Sequence, residues 1–153
     1  MRQMKREDSP HLALLEAAEA VLAHAYAPYS SFHVGAALED VDGRIWTGCN
    51  VENAAFSAGI CAERTALFKA VSEGVTSFVA LAIVGRKADA TAAAVEFTTP
   101  CGVCRQALNE FCDAEMPVVV AGGDGEVREY TLNELLPGAF GPKNLSDTGK
   151  RSK

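Results

Sequence analysis

Seven consecutive apolar residues, 78–84, constrain the fold of this chain more than any other stretch. An apolar run of this length without polar alternation is typical of a strand that is covered on both faces of its sheet. Such a strand needs helices above and below it, and we expect it near the centre of the sheet. The sequence therefore predicts an α/β fold with three layers, in which a sheet lies between two layers of helices.

The segments before this strand predict a helix, a hairpin and a second helix. Ser9-Pro10 is a helix-start pattern, and Pro28 ends the helical spacing that follows it. Apolar and polar residues then alternate over 32–49, with a turn at Asp42-Gly43, which indicates a β-hairpin. After an irregular loop, a second helix begins near Cys61 and closes at a glycine.

The segments after the apolar strand predict a helix, two strands and a short helix. Thr99-Pro100 opens the helix, and the apolar run over 118–121 indicates the first strand. The turn residues 122–125 then lead into a second short strand that ends near Tyr130. Thr131 and Glu134 have the spacing of a capping box, which predicts a short helix after them. Together the segments predict a mixed five-stranded sheet between helical layers.

The length of 153 residues, with 48% apolar and 22% charged residues, fits a single compact domain over 1–153. We expect its core to span about 9–142, with 1–8 and 143–153 mobile outside it. The net charge of −6 argues against nucleic acid as a partner, because such partners need clustered Lys and Arg. The first residues carry no apolar run, so we expect no export signal, no membrane partner and a cytoplasmic location.

Three of the five cysteines form a candidate metal site. Cys101 and Cys104 are a Cys-x-x-Cys pair, and Cys61 lies about forty residues before them. Zinc favours thiolate ligands, and a catalytic zinc keeps one position open for water. Glu63 is not needed as a ligand, so its carboxylate is available to carry the proton in a metal-assisted hydrolysis.

Both cysteine segments are predicted to open helices, whose N-termini carry partial positive charge. This charge, together with hydrogen bonds from Arg64, would offset the negative charge of three thiolates. Two other interpretations remain open: a zinc ion that only stabilises the fold, or a redox Cys-x-x-Cys unrelated to Cys61. A structural zinc usually has four protein ligands, and the remaining cysteines, Cys49 and Cys112, form no second Cys-x-x-Cys pair that would supply a fourth. We predict that both are small core residues.

These motifs together resemble cytidine deaminases of the small homotetrameric kind. The resemblance runs from about Tyr26 to Phe140, and a set of motifs in this order is far more specific than a lone Cys-x-x-Cys. The matching segments are Cys61-Ala62-Glu63-Arg64, Pro100-Cys101-Gly102-Val103-Cys104-Arg105-Gln106, Ala27-Pro28-Tyr29-Ser30, Phe32, Val34-Gly35-Ala36-Ala37-Leu38, Gly48-Cys49-Asn50-Val51-Glu52-Asn53-Ala54 and Leu135-Leu136-Pro137-Gly138-Ala139-Phe140.

The resemblance implies the catalytic machinery and the reaction. One Zn²⁺ per subunit would be held by Cys61, Cys101 and Cys104, with Glu63 as the proton carrier and Arg64 beside the ligands. The reaction would be hydrolytic deamination of cytidine and 2′-deoxycytidine to the uridine forms with release of ammonia, a step of pyrimidine salvage.

The resemblance also implies how the nucleoside is held. Asn50 and Glu52 would hydrogen-bond the sugar, mainly its 3′-hydroxyl, Phe32 would pack on the pyrimidine, and the backbone beside Ala62 would bind the base. Phe140 would reach the site of a neighbouring subunit in a homotetramer. Phe56 departs from the tyrosine that is common at its position.

Each of these roles has a structural alternative. Asn50 could be a turn residue, Glu52 a solvated charge, Arg64 a surface charge, and Phe32 or Phe140 part of the chain's own core. Two alternative functions also remain. One is a blasticidin-type aminonucleoside deaminase, which shares the cysteines and the glutamate but binds a different sugar. The other is a non-catalytic module stabilised by zinc.

Overall fold

The computed structural model describes residues 1–146 and contains one six-stranded mixed sheet with the strand order β1-β6-β5-β4-β2-β3. The central strand β4 pairs parallel with β5 and antiparallel with β2, and all other pairs are antiparallel. The strands are β1 (Arg2–Lys5), β2 (Phe32–Asp40), β3 (Ile45–Cys49), β4 (Phe78–Lys87), β5 (Pro117–Ala121) and β6 (Glu126–Thr131).

Within residues 1–146, five α-helices accompany the sheet, and two of them begin directly after Cys61 and Cys101. Their bounds are α1 (Leu12–Val21), α2 (Ala62–Ser72), α3 (Gly102–Phe111), α4 (Leu132–Leu135) and α5 (Pro142–Leu145). Gly74, which has a φ of +90°, follows the C-cap residue Glu73 and terminates α2 as predicted. The predicted capping box of Thr131 and Glu134 is present at the start of α4.

Two apolar cores, one on each face of the sheet, confirm the three-layer architecture. On one face, α1 packs through Leu14, Leu15 and Ala18 onto alternate residues of β4 and β5. On the other face, α2, α3 and α4 pack onto the intervening residues of the same strands, such as Leu81 and Ile83. Strand β4 is buried on both faces from Ala80 to Gly85, as the apolar run predicts.

Two glycines in the hairpin let the helices lie close to the sheet. A Cβ atom added to Gly35 of β2 would lie 2.0 Å from the carbonyl oxygen of Ala18 in α1. A Cβ atom added to Gly48 of β3 would lie 2.6 Å from the carbonyl oxygen of Ala62 in α2. Gly48 therefore sets how closely the first turn of α2, which carries Glu63, approaches the sheet.

The predicted number of strands is wrong: the sequence predicts five strands, whereas the sheet within residues 1–146 has six. The additional strand β1 lies in the segment 1–8, which we placed outside the core, and it pairs with β6 at the edge of the sheet. Three of its four side chains are polar, and Arg2 and Gln3 bind glutamates of β6 through hydrogen bonds of 2.9 and 2.7 Å, whereas Met4 packs against the core. A short edge strand with a single apolar residue has no apolar alternation from which to predict it.

The start of the first helix also differs from the prediction. The Ser9 hydroxyl accepts a hydrogen bond from the backbone N–H of His11, at 3.2 Å, and does not cap a helix that starts at Pro10. This local turn delays α1 until Leu12. At the other end of the chain, Pro142–Leu145 forms α5, whereas the part of the predicted mobile tail at 147–153 lies outside the described residues.

None of the helices within residues 1–146 combines the length and the apolar character that crossing a membrane requires.

Candidate metal centre and active site

The metal centre forms where the N-termini of α2 and α3 meet. Cys61 is the N-cap residue of α2, Cys101 is the N-cap residue of α3, and Cys104 lies in the first turn of α3. Paired backbone hydrogen bonds between Val51 and Ile60, of 2.9 and 3.0 Å, close the loop that leads into α2 and so fix the entry to Cys61. Because two helix N-termini face the same point, their partial positive charges add where thiolate charge collects.

The three sulfurs fit a zinc ion. The Sγ atoms of Cys61, Cys101 and Cys104 all lie within 4.8 Å of one another, and Cys61 Sγ is 3.7 Å from Cys101 Sγ. A tetrahedral zinc with Zn–S bonds of about 2.3 Å places its sulfur ligands about 3.8 Å apart. All five cysteines are free thiols, and this trio is the one such cluster among the described residues. Three ligands also leave one coordination position for water.

The thiol cluster already favours negative charge on one sulfur. A hydrogen bond from Cys104, supported by Arg64 and Cys101, lowers the pKa of Cys61 to about 5, although burial opposes the shift. The same hydrogen bond and burial raise the pKa of Cys104 above its ordinary value. Cys104 therefore holds the proton that a metal ion must displace when all three thiols become ligands.

Glu63 is the buried acid beside this cluster. It occupies the first turn of α2, two residues after Cys61, and only 3% of its surface is exposed. Burial raises the pKa of its carboxyl group to about 7, although its own backbone N–H partly opposes the shift. A carboxyl group that binds a proton near neutral pH, next to a metal site, is suited to general acid–base catalysis.

Arg64 lies against the thiols, as the sequence suggested. Its Nη2 atom is 3.7 Å from Cys61 Sγ, and its Nε atom is buried with no partner within the described part of the chain. The guanidinium therefore offsets part of the thiolate charge from the ligand side. Arg64 is not a solvated surface charge.

One cavity of about 600 Å³ opens beside the metal centre and contains most of the predicted site residues. Asn50, Glu52, Ala62, Glu63 and Arg64 line it together with the ligands Cys61 and Cys101. The structure thus brings the proposed sugar residues, the buried acid and the metal centre into one space, although the sequence separates them by up to fifty residues.

Asn50 and Glu52 are held by the backbone of the preceding loop and strand. Asn50 accepts a hydrogen bond from the Val34 N–H at 2.9 Å and donates one to the Phe32 carbonyl at 2.8 Å. Glu52 Oε1 accepts from the N–H groups of Tyr29 and Ser30 at 2.9 and 3.0 Å. Hydrogen bonds from the Ser30 side chain and from the backbone of Ser30 and Tyr29 lower the pKa of Glu52, although burial opposes the shift, so the carboxylate that lines the cavity favours its ionised form.

Phe32 and Phe140 are not among the residues that line this cavity. Phe32 is half-buried, and its ring lies against β4 at Gly85, where an added Cβ atom would be 3.0 Å from the ring. Phe140 is 61% exposed, and its carbonyl accepts hydrogen bonds from Gln106 and Asn109. Neither ring closes the cavity from within the single chain.

Several residues of the cavity wall have no binding role that the sequence predicts. Tyr29 and Phe56 form an edge-to-face pair with centroids 5.8 Å apart at its rim. Thr98 and Thr99 line it on the side of α3, and Val34 lines it from β2. Tyr29 and Val34 belong to segments that match the cytidine deaminase motifs, so they could have been predicted from those motifs. Thr98 and Thr99 end a weakly patterned segment that gives no sequence signal of a binding role.

Comparisons with known proteins agree with this geometry. Residues 8–120 match the family model described as the cytidine and deoxycytidylate deaminase zinc-binding region. The chain is 53% identical over 122 residues to the cytidine deaminase of Sporosarcina psychrophila, covering 80% of this chain and 85% of that protein. It is 41% identical over 123 residues to the cytidine deaminase of Mycobacterium tuberculosis (strain H37Rv), covering 80% and 84% of the two chains.

Solved structures show the same fold. The crystal structure of cytidine deaminase from Burkholderia pseudomallei superposes with a TM-score of 0.76 at 46% identity, covering 86% of this chain and 100% of that one. The crystal structure of cytidine deaminase from Mycobacterium tuberculosis gives a TM-score of 0.70 at 38% identity, covering 88% and 99% of the two chains.

Proposed function

The chain belongs to the cytidine and deoxycytidylate deaminase family, and we propose that it hydrolyses cytidine and 2′-deoxycytidine to uridine and 2′-deoxyuridine with release of ammonia. Its zinc site is the cluster of Cys61, Cys101 and Cys104. The product is a uracil nucleoside, so the reaction belongs to pyrimidine salvage.

The observation that carries this proposal is the position of Glu63. Its carboxyl group is buried beside three thiols that fit zinc and lines the same cavity as Asn50 and Glu52. A purely structural zinc site needs no open position, no buried acid and no adjoining cavity. The arrangement therefore favours a catalytic centre over a module that zinc only stabilises.

In the proposed reaction, Glu63 moves two protons. Zinc bound by the three thiolates would act as a Lewis acid and lower the pKa of a water molecule toward neutrality. Glu63 takes the first proton from the attacking water and gives it to N3 of the ring as the water oxygen bonds to C4. Glu63 then transfers the remaining hydroxyl proton to the amino group, the C4–N bond breaks, and ammonia leaves. Arg64 limits the charge on Cys61 throughout.

Substrate recognition uses polar groups that the fold has already oriented. Asn50 keeps one amide N–H, and the ionised carboxylate of Glu52 lines the cavity as an acceptor. Both bind the sugar, mainly its 3′-hydroxyl, which ribose and deoxyribose share. The backbone at Ala62 in the first turn of α2 binds the base, and Phe32 packs on the pyrimidine. Because Phe32 lies outside the cavity lining of the single chain, this last contact requires the substrate to reach the first residue of β2.

A substrate panel with metal analysis tests the proposal. Purified protein is assayed for zinc content and for loss of the ultraviolet absorbance of cytidine, 2′-deoxycytidine, cytosine, cytidine monophosphate and blasticidin S. We expect one zinc per chain and turnover of the two nucleosides. Zinc-loaded protein that turns over blasticidin S instead would favour the aminonucleoside alternative, and zinc-loaded protein without any turnover would favour the structural module.

We further propose that the active form is a homotetramer in which Phe140 reaches the cavity of a neighbouring subunit. The support is a set of exposed apolar residues on the described chain: Val51, Phe56, Val103, Phe140 and Leu145. Light scattering should give four times the mass of one chain. A mixture of the Phe140→Ala and Glu63→Gln variants tests the shared site. In mixed tetramers, some sites combine Glu63 from a Phe140→Ala subunit with the Phe140 ring of a neighbouring Glu63→Gln subunit. We therefore expect the mixture to be more active than either variant alone.

We also place the protein in the cytoplasm. Three thiolates can hold zinc only while they stay reduced, and all five cysteines of the chain are unbridged. Cell fractionation followed by the cytidine assay tests this location.

A further inference from the structure

Arg105 connects three parts of the chain around the metal centre. Its Nε atom donates to the Pro100 carbonyl at 2.6 Å, and its Nη1 atom donates to the Leu135 carbonyl at 2.6 Å. Its Nη2 atom donates to the Thr99 hydroxyl at 3.2 Å. One guanidinium therefore ties the loop before Cys101 to the end of α4.

The position of Arg105 on α3 explains this reach. Its backbone N–H donates to the Cys101 carbonyl at 2.9 Å, so it lies one turn after the N-cap of the helix. Long side chains on a helix point back toward its N-terminus. The guanidinium thus returns past Cys101 to the Pro100 carbonyl, which belongs to the peptide bond immediately before that cysteine.

From these contacts we infer that Arg105 is a positioning residue for the zinc ligands. It fixes the Pro100–Cys101 peptide plane and thereby sets where the Cys101 sulfur points. Cys101 depends on such support because it is the most exposed of the three ligands, whereas Cys104 is buried within α3.

Arg105 differs in this respect from Arg64, which contacts a ligand sulfur directly. The three hydrogen bonds of Arg105 go to two carbonyls and a hydroxyl, so its effect on the metal passes through the backbone. The Leu135 acceptor belongs to the last turn of α4, whose carbonyls lack helical partners. Arginine donates to the two carbonyls from separate nitrogens of its planar fork, Nε and Nη1, at a fixed spacing, whereas lysine has only one nitrogen from which to donate.

The inference rests on the zinc site of the proposed function, and chelator competition tests it with a readout that is independent of activity. The zinc dissociation constant of Arg105→Gln should rise about 10- to 100-fold, the usual effect of removing a group that orients a metal ligand. The thiolate-to-metal charge-transfer bands of the cobalt-substituted variant should weaken or shift, because the Cys101 sulfur loses its fixed orientation.

Three further variants sharpen the test. Arg105→Lys keeps the charge but not the fork, so it should remain impaired in zinc affinity. Thr99→Val removes only the longest of the three hydrogen bonds and should cause a smaller change. Arg6→Gln, which breaks a 2.6 Å ion pair with Glu19, is the matched control and should leave zinc affinity unchanged.

The outcomes separate this inference from the proposed function. Wild-type protein that binds no zinc would overturn the proposed function itself. Wild-type protein that binds zinc, with Arg105→Gln of equal affinity and an unchanged cobalt spectrum, would overturn the role of Arg105 alone. So would full rescue by Arg105→Lys. If Arg105→Gln does not fold, as judged by Trp46 fluorescence, the zinc affinities of Arg105→Lys and Thr99→Val are compared with that of the wild type instead.

Discussion

The side-chain amide of Asn50 donates a 2.8 Å hydrogen bond to the main-chain carbonyl of Phe32. This bond joins two residues proposed to hold different parts of the substrate, the sugar and the pyrimidine. The same amide accepts from the Val34 N–H, so Asn50 fixes the start of β2 as well as facing the cavity. The interpretation of Asn50 as a turn residue and its proposed role at the sugar are therefore compatible.

We expect Asn50→Asp to destabilise the fold, because a carboxylate can still accept from Val34 but cannot donate to Phe32. The cost should be about 1–3 kcal/mol in the free energy of unfolding, since the Phe32 carbonyl loses its partner. Urea unfolding followed by Trp46 fluorescence measures it. The matched control is Asn53→Asp: Asn53 accepts from the Ala55 N–H at 2.9 Å, which an aspartate also does. Equal stability of the two variants would contradict the prediction.

Glu63→Gln should lower kcat for cytidine by about 10²- to 10⁴-fold, the usual contribution of a positioned acid–base group. Zinc content should not change, because Glu63 is not one of the three clustered ligands. The absorbance assay and metal analysis are made on the same preparation. Glu73→Gln, at the other end of α2 and paired with Arg44 at 3.3 Å, serves as the control. Near-normal turnover by the Glu63 variant is the result that rules out its proposed role.

Glu52→Gln should weaken use of nucleosides that carry a 3′-hydroxyl. The amide oxygen of the glutamine can keep the hydrogen bonds from Tyr29 and Ser30, so the loop should stay in place. Loss of a hydrogen bond to a charged group should reduce kcat/KM for cytidine about 10- to 100-fold. With 3′-deoxycytidine the variant and the wild type should differ little, because the partner hydroxyl is absent. An equal loss on both substrates would mean that Glu52 acts elsewhere.

Gly35→Ala should be strongly destabilising, because the new Cβ atom would lie 2.0 Å from the Ala18 carbonyl oxygen and 2.9 Å from a Val21 methyl group. Helix α1 would have to move off the sheet, at a cost of about 3 kcal/mol or more. The control is Gly43→Ala: its Cβ atom meets nothing within 4 Å, and only its φ of +82° opposes the change, at about 1–2 kcal/mol. Urea unfolding should rank Gly35→Ala as the less stable of the two.

Asp40 should make stability depend on pH in the acid range. A hydrogen bond from Trp46, at 3.0 Å, and backbone hydrogen bonds from Arg44 and Asp42 lower the pKa of its carboxyl group, although burial opposes the shift. Because the folded pKa lies below the unfolded value of about 3.9, the carboxylate stabilises the fold fully above that pH. This contribution is lost as the pH falls through the folded pKa.

The measurement compares wild type and Asp40→Asn in urea unfolding at a series of pH values. The gap in unfolding free energy should be constant between pH 5 and 7 and should shrink below about pH 4. Asp42→Asn, at the exposed neighbouring position, is the control and should differ little from wild type throughout. A gap that persists unchanged at pH 3 would show that the Asp40 charge is not involved.

The zinc motif could be predicted from the sequence because its information is local. A Cys-x-x-Cys pair at a helix start places both sulfurs on one side of the first turn, and Cys61 opens its own helix in the same manner. The burial of β4 could likewise be predicted from its apolar run. Successive residues of a strand face opposite sides of the sheet, so an unbroken apolar run indicates that both sides are covered. These patterns depend on neighbours within one turn or one strand.

Other features could not be predicted, because their partners are distant in the sequence. The four residues of β1, three of them polar, form a strand because β6 offers a free edge and glutamates that bind Arg2 and Gln3. The hydrogen bond between Arg105 and Leu135 spans thirty residues and depends on how α4 packs beside α3. No periodicity in the chain encodes either contact.

The sequence by itself determined which chemical groups can form the site: three thiols with the spacing of zinc ligands, one acid two residues after Cys61, and the helix starts that present them. Only the tertiary structure decided the shape of the cavity and its lining by Thr98 and Thr99. It also decided the hydrogen bond from Arg105 to the Pro100 carbonyl, in the loop before Cys101. The physical reason is that ligand identity and helix capping are local properties of the chain. A cavity, in contrast, is the space left when separate elements pack, and its shape depends on all of them at once.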